Sequence, residues 1–162
     1  MRKILQSSLF LLVALVCVPA VGQASTRSAY SASTEGQVVV LLNVIRHEHG
    51  LGTLMSSTAL RNAARSHTSD MLARGYFEHN SPNEAFDVRI RRFLKSPLVG
   101  ENIAWGTGKY ASAEGIVSLW MHSPPHRKII LMSTLRRVGL GVATGSFQGN
   151  PGAVMATADF SA

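Results

Sequence analysis

Apolar positions recur at helical spacing over four stretches of this chain and alternate with a period of two only near its end. In the first stretch Val38, Leu41, Leu42, Ile45 and His49 share a face, and Gly50 with Gly52 closes the run, which predicts a helix over 35–49. Ser56 or Ser57 supplies an N-cap ahead of Leu60, Ala63, Ala64, His67 and Met71, and Gly75 stops this second helix. Pro82 and Asn83 open a third helical segment that Pro97 ends, with Phe86, Ile90 and Phe93 expected inward and Arg89, Arg91 and Arg92 expected toward water. Residues 98–105 have no helical period and read as a strand or extended loop. A fourth helix begins after Tyr110, with Ser112 as N-cap and Ile116, Val117 and Trp120 on its buried side; Pro124 and Pro125 are expected to terminate it.

The period then changes. Val138, Leu140 and Val142 alternate with glycines, and Val154, Ala156, Ala158 and Phe160 alternate with Met155, Thr157 and Asp159, with the turn-rich residues 145–152 between them. This is the pattern of an antiparallel hairpin. Helices first and strands late predict an α+β domain whose helices pack on a small antiparallel sheet, and no internal repeat is visible.

The N-terminal residues follow a different rule. Arg2 and Lys3 precede an apolar run over 9–21, and small residues stand at Gly22 and Ala24, the layout of a secretory signal peptide over 1–24 with cleavage before Ser25. The run is too short for an ordinary helix across a hydrocarbon core of roughly 30 Å, so no stable membrane span is expected in the mature chain. Cys17 does not make a lipoprotein signal, because Val16 stands where a small residue is wanted. Residues 25–34, rich in Ser, Thr and Ala, read as a flexible leader, and 35–162 as the folded domain.

Composition narrows the classes. A chain of 162 residues, 46% hydrophobic and 15% charged, fits one packed domain and not a disordered tail. Its only cysteine is in the signal segment, so a core and not disulfides must hold the mature protein. Sixteen basic residues against nine acidic give a net charge of +7, but the arginines are scattered and lack interleaved aromatics, which argues against nucleic acid. The positive balance serves solubility, and attraction to anionic envelope polymers or headgroups stays open.

Most of the six histidines have structural readings. His67 lies on an apolar helical face as a core imidazole with a hydrogen-bond partner; His47 and His49 sit in a last helical turn, where a cation complements the dipole; His122 reads as a solvent-facing helix end. His79, in Phe77-Glu78-His79-Asn80-Ser81-Pro82, and His126, in Ser123-Pro124-Pro125-His126-Arg127, differ, since each is expected in a loop punctuated by proline and polar residues. Glu101 is a lone acid in Gly100-Glu101-Asn102-Ile103-Ala104-Trp105 and marks either a cleft wall or a structural ion pair. Spacing alone does not bring the three together. No H-E-x-x-H helix, nucleophile elbow or phosphate loop is present.

Those blocks carry a resemblance. Asn43-Val44-Ile45-Arg46 with Gly50-Leu51-Gly52-Thr53-Leu54, the run 60–71, Phe77 and His79, Gly100 to Ala104, Trp120 to Arg127 and the glycine-rich hairpin together resemble the CAP superfamily (SCP domain) of cysteine-rich secretory proteins, antigen 5 and pathogenesis-related proteins, in its short disulfide-free bacterial branch. The resemblance covers residues 35–160. It implies an α-β-α sandwich and a cleft holding two histidines and two acids, carried over as His79, Glu101 and His126, with Ser123 where the second acid would stand. It also implies a divalent metal, zinc among the options, between His79 and His126; by its chemistry Glu101 would serve either as a third ligand or as an acceptor that orients one of the histidines. Family members differ in function. The leading expectation is a secreted or periplasmic monomer that binds an envelope polymer, lipid or other small ligand; the alternatives are a metal-dependent hydrolase of the cell envelope and an extracellular interaction protein.

Overall fold

A computed structural model describes residues 29–162. The expected signal peptide over 1–24 and its cleavage before Ser25 lie outside the described residues. The elements run β1 (Ala29–Tyr30), α1 (Ala32–Glu48), β2 (Met55–Ser56), α2 (Thr58–Arg74), α3 (Phe86–Phe93), β3 (Val99–Gly106), a 3₁₀ turn (Gly108–Ala111), α4 (Ala113–His122), α5 (Pro124–Ile130), β4 (Arg137–Phe147) and β5 (Asn150–Ser161).

The sheet order is β1-β4-β5-β3, antiparallel throughout, with β2 added to β4 as a short parallel strand. Period-two alternation divides this sheet between two helical layers. Val138, Leu140, Val142, Ala156, Ala158 and Phe160 face Val38 and Leu42 of α1 and Ile116, Val117 and Trp120 of α4. The intervening positions face α2: Thr68 Oγ1 donates to Gly141 O and lies 2.9 Å from Thr157 Oγ1, and Met71 packs with Ile103, Phe147 and Met155. Both faces are covered, which gives the α-β-α sandwich.

The α2 layer lies so close that side chains are excluded beneath it. A Cβ on Gly139 would stand 2.0 Å from Arg61 N, and one on Gly141 would stand 2.5 Å from the Ala64 carbonyl carbon, both helix backbone. Gly141→Ala should therefore cost stability at the upper end of the roughly 1–3 kcal/mol usual for overpacking, because α2 as a whole must lift. Denaturant melts check this, and an unchanged midpoint would mean that the layers are more loosely apposed.

Several boundaries and orientations need correction. The leader expected over 25–34 ends earlier, because Ala29 and Tyr30 pair with Thr144 and Ala143 and Ser31 caps α1 by accepting from Thr34 N. The third helix is shorter than expected and starts at Phe86, whose N–H is taken up by Asn80 Oδ1. Within it Phe93 is 40% exposed, while Arg89, expected in water, is only 3% exposed. Pro124 and Pro125 do not merely end α4: with Ser123 as N-cap they open α5, since proline's fixed φ and missing N–H suit a first helical turn. His126 consequently sits on a short helix and not in a loop. No helix among the described residues is long and apolar enough to cross a membrane.

Candidate functional site

The site forms where strand, loop and helices meet beside β3, which lies at one edge of the sheet. In the antiparallel register Glu101 of β3 stands directly opposite Asp159 of β5, so both carboxyls point from the same face toward α2 and α3. Three side chains converge on Glu101. His79, in the loop after α2, places Nδ1 2.9 Å from Oε1. Arg89 of α3 donates from Nη2 to Oε2. His67 of α2 brings Nε2 to 3.9 Å from Oε2.

Arg89 ties the cluster together. Its Nη1 donates to His67 Nδ1 at 2.9 Å and to the His79 carbonyl at 3.0 Å, so the helix, the loop and the strand are all fixed through one guanidinium. On the other side of β3, Asn102 Nδ2 donates to His126 O at 3.2 Å, and Trp120 Nε1 donates to Ile103 O at 3.0 Å. These bonds hold α4 and α5 against the strand. They set the His126 ring 6.1 Å from the His79 ring, centroid to centroid.

Burial decides the charges. It pushes His67 down to about 4, with the Arg89 cation adding to the effect; His67 is thereby a neutral imidazole that donates from Nε2 to Glu78 O and accepts from Arg89 at Nδ1. His79 is lowered by burial and then by Arg89, and His126 by burial and then by His79. Both acids are raised: Glu101 chiefly by burial, with Arg89 opposing, and Asp159 by burial and then by Glu101. For His67 the folded value lies below the unfolded one. The unfolded chain therefore binds the proton first, and this part of the stability is lost as pH falls from about 6.5 to about 4. His67→Gln keeps an acceptor for Arg89 and a donor for Glu78 O without titrating. Its stability should fall less over that window than the wild type's, by up to about 3 kcal/mol, as read from denaturant melts at several pH values; parallel losses would mean that His67 is not the acid-sensitive group.

Beside the cluster lies a cavity of about 280 Å³, just below the roughly 300–1,000 Å³ usual for small-molecule sites. Phe86, Val99, Ile129, Met132 and Leu135 form its apolar sides, and His79 with Glu101 its polar end. The expected site residues thus separate into two groups. His79 and Glu101 are in direct contact and His126 stands beside His79, whereas Ser123 lines a different groove with Tyr110, Ser118, Leu119 and His122. Arg89 and Asp159 were not among the expected site residues. Arg89 shares the i, i+3, i+4 stripe of Phe86 and Ile90, and Asp159 shares the alternation of Met155 and Thr157, a signal that could have found both, although Arg89 was expected toward water.

The donor set does not fit the implied metal. Glu101 spends one oxygen on His79 and the other on Arg89, and among the described residues no group of three or more His, Cys, Asp or Glu side chains is arranged to hold an ion. Glu101 instead orients His79.

Compared with known proteins, residues 39–160 match the cysteine-rich secretory protein family, CAP. The chain is 37% identical over 125 residues to the uncharacterized protein YkwD of Bacillus subtilis (strain 168), a match that spans 75% of this chain and 46% of that protein. It is similar to the crystal structure of an extracellular protein containing an SCP domain from Bacillus anthracis str. Ames, with 28% identity and a TM-score of 0.64 over 79% of this chain and 40% of that one. It is also similar in fold to an outer surface protein of Borrelia burgdorferi, with a TM-score of 0.69 at 15% identity, over 82% of this chain and 96% of that one. This chain therefore spans less than half the length of the two Bacillus proteins.

Proposed function

Since this chain belongs to the cysteine-rich secretory protein family, and that fold serves more than one function, we propose from its own site that it is a binding module taking a small, largely apolar ligand with one polar group. The observation that carries this reading is the cavity of about 280 Å³ with apolar sides and a single polar end at His79 and Glu101. Lipids and other small amphiphiles have that chemistry; a whole polymer strand exceeds the space. An imidazole held by Glu101 at the polar end supplies orientation, and the apolar walls supply affinity.

Export of the protein to a periplasm or the exterior is part of the proposal. It rests on the signal-like residues 1–24 and on the likeness to a Bacillus anthracis protein described as extracellular. The hydrolase alternative would need a nucleophile or a metal-held water at the histidines. Among the described residues no Ser, Thr or Cys side chain is hydrogen-bonded to His79 or His126, and no observation favours that reading over binding.

Calorimetric titration with 1-octanol as probe tests the proposal. The wild type should bind with a negative heat-capacity change, the marker of apolar burial. Met132→Trp, which fills the cavity from one side, should weaken binding at least about tenfold while leaving the melting temperature nearly unchanged. Equal binding by the two proteins would place the probe elsewhere and overturn the assignment.

A further inference from the structure

Asp159 is fully buried, yet neither of its carboxyl oxygens meets an N–H or O–H donor among the described residues. An ionised carboxylate in that position would be a buried charge without a single hydrogen bond, which is strongly unfavourable. The carboxyl of Glu101 is its opposite number in the strand register, and side chains so paired on one face of an antiparallel sheet are close neighbours. Two carboxylates cannot hydrogen-bond each other; a carboxylic acid and a carboxylate can, and strongly.

Counting charges assigns the proton. The groups facing the pair are Arg89 from α3, His79 from the loop and His67 from α2. With both imidazoles neutral, Arg89 is the lone cation, and one negative charge balances it. Arg89 bonds Glu101 directly, so that charge belongs on Glu101 and the proton on Asp159.

We infer that Asp159 is a positioning residue of the proposed ligand site: as a neutral acid it donates to Glu101, which accepts from His79 Nδ1–H, so that His79 turns an unprotonated Nε2 to the cavity. No protein hydrogen bond occupies that nitrogen among the described residues. An acceptor at the end of an apolar cavity selects a ligand whose polar group is a neutral donor, a hydroxyl in place of a carboxylate. The choice of ligand class rests on the binding reading above; the proton assignment does not.

Side-chain NMR of the ligand-free protein above neutral pH tests the assignment. One carboxyl carbon should resonate as a protonated acid, and that signal should vanish in Asp159→Asn, which keeps a donor to Glu101. His79 should carry its proton on Nδ1 in both proteins. A spectrum with every carboxyl ionised, a protonated signal that survives Asp159→Asn, or a His79 proton on Nε2 would overturn the inference. Titration with 1-octanol and octanoate then tests the selectivity: the alcohol should bind at least tenfold more tightly, and preference for octanoate would contradict the acceptor role. Failure of both probes to bind would contradict the cavity reading while leaving the NMR result to decide the proton.

Discussion

Replacing Arg89 with methionine should destabilise the protein by roughly 3–5 kcal/mol, the range seen when one partner of a buried ion pair is removed. Methionine fills much of the same volume, so the expected loss is electrostatic and not a cavity effect. Arg89 is 3% exposed, and three groups depend on it: Glu101 Oε2, His67 Nδ1 and the His79 carbonyl. Without it Glu101 faces Asp159 with no cation, and the protein can relieve the strain only by taking up a proton, which should make the variant more stable in mild acid than at neutral pH relative to the wild type. Denaturant melts at two pH values measure both effects. A loss below about 1 kcal/mol at neutral pH would show that Glu101 carries no charge in the folded protein.

Trp120→Ala should cost a similar 3–5 kcal/mol for a different reason. The indole is fully buried among Val38, Ile116 and Phe160 on the α1/α4 side of the sheet, and no disulfide is available to offset a cavity of that size. Its Nε1 also donates to Ile103 O, so α4 is hydrogen-bonded to the strand that carries Glu101. Trp120→Phe separates the two contributions: it keeps most of the apolar volume and should lose about 1–3 kcal/mol, chiefly from an unsatisfied group. Equal stability of all three proteins would put the core elsewhere.

These two positions also show how far the sequence could be read. Trp120 was legible because Ile116, Val117 and Trp120 share a helical face and a tryptophan on such a face is nearly always core. Arg89 was not, although the same spacing puts it beside Ile90. A charged side chain on an inward stripe is ordinarily assumed to bend to solvent, and only the distant partners Glu101, His67 and His79 reverse that expectation. Asp159 poses the same problem on a strand. Its alternation with Phe160 was visible, but one face of the hairpin was free to be solvent until α2 was known to cover it. α2 was readable to within a residue or two, because Ser57 and Gly75 are strong local signals at either end; the hairpin's pairing was visible, but its strands run to Phe147 and from Asn150, well inside the turn expected over 145–152.

The two-proline segment was the opposite case. Pro124 and Pro125 stop a helix and also start one, and a single sequence does not say which role dominates when both apply. The outcome matters for the site, because α5 and the residues after it bring Ile129, Met132 and Leu135 to the cavity. The apolar part of the cavity has no local signature: Phe86, Val99, Ile129, Met132 and Leu135 come from α3, β3, α5 and the residues after it, and each looks like ordinary core in its own segment.

The most direct test of the account is a crystal structure of the protein grown with 1-octanol. The alkyl chain should lie between Phe86 and Met132 with its hydroxyl donating to His79 Nε2, and Glu101 should still be bonded to both His79 and Arg89. Octanol bound only in the polar groove on the far side of His67, lined by Asp70, Arg74 and Arg92, or a cavity that stays free of the probe under saturating conditions, would contradict it.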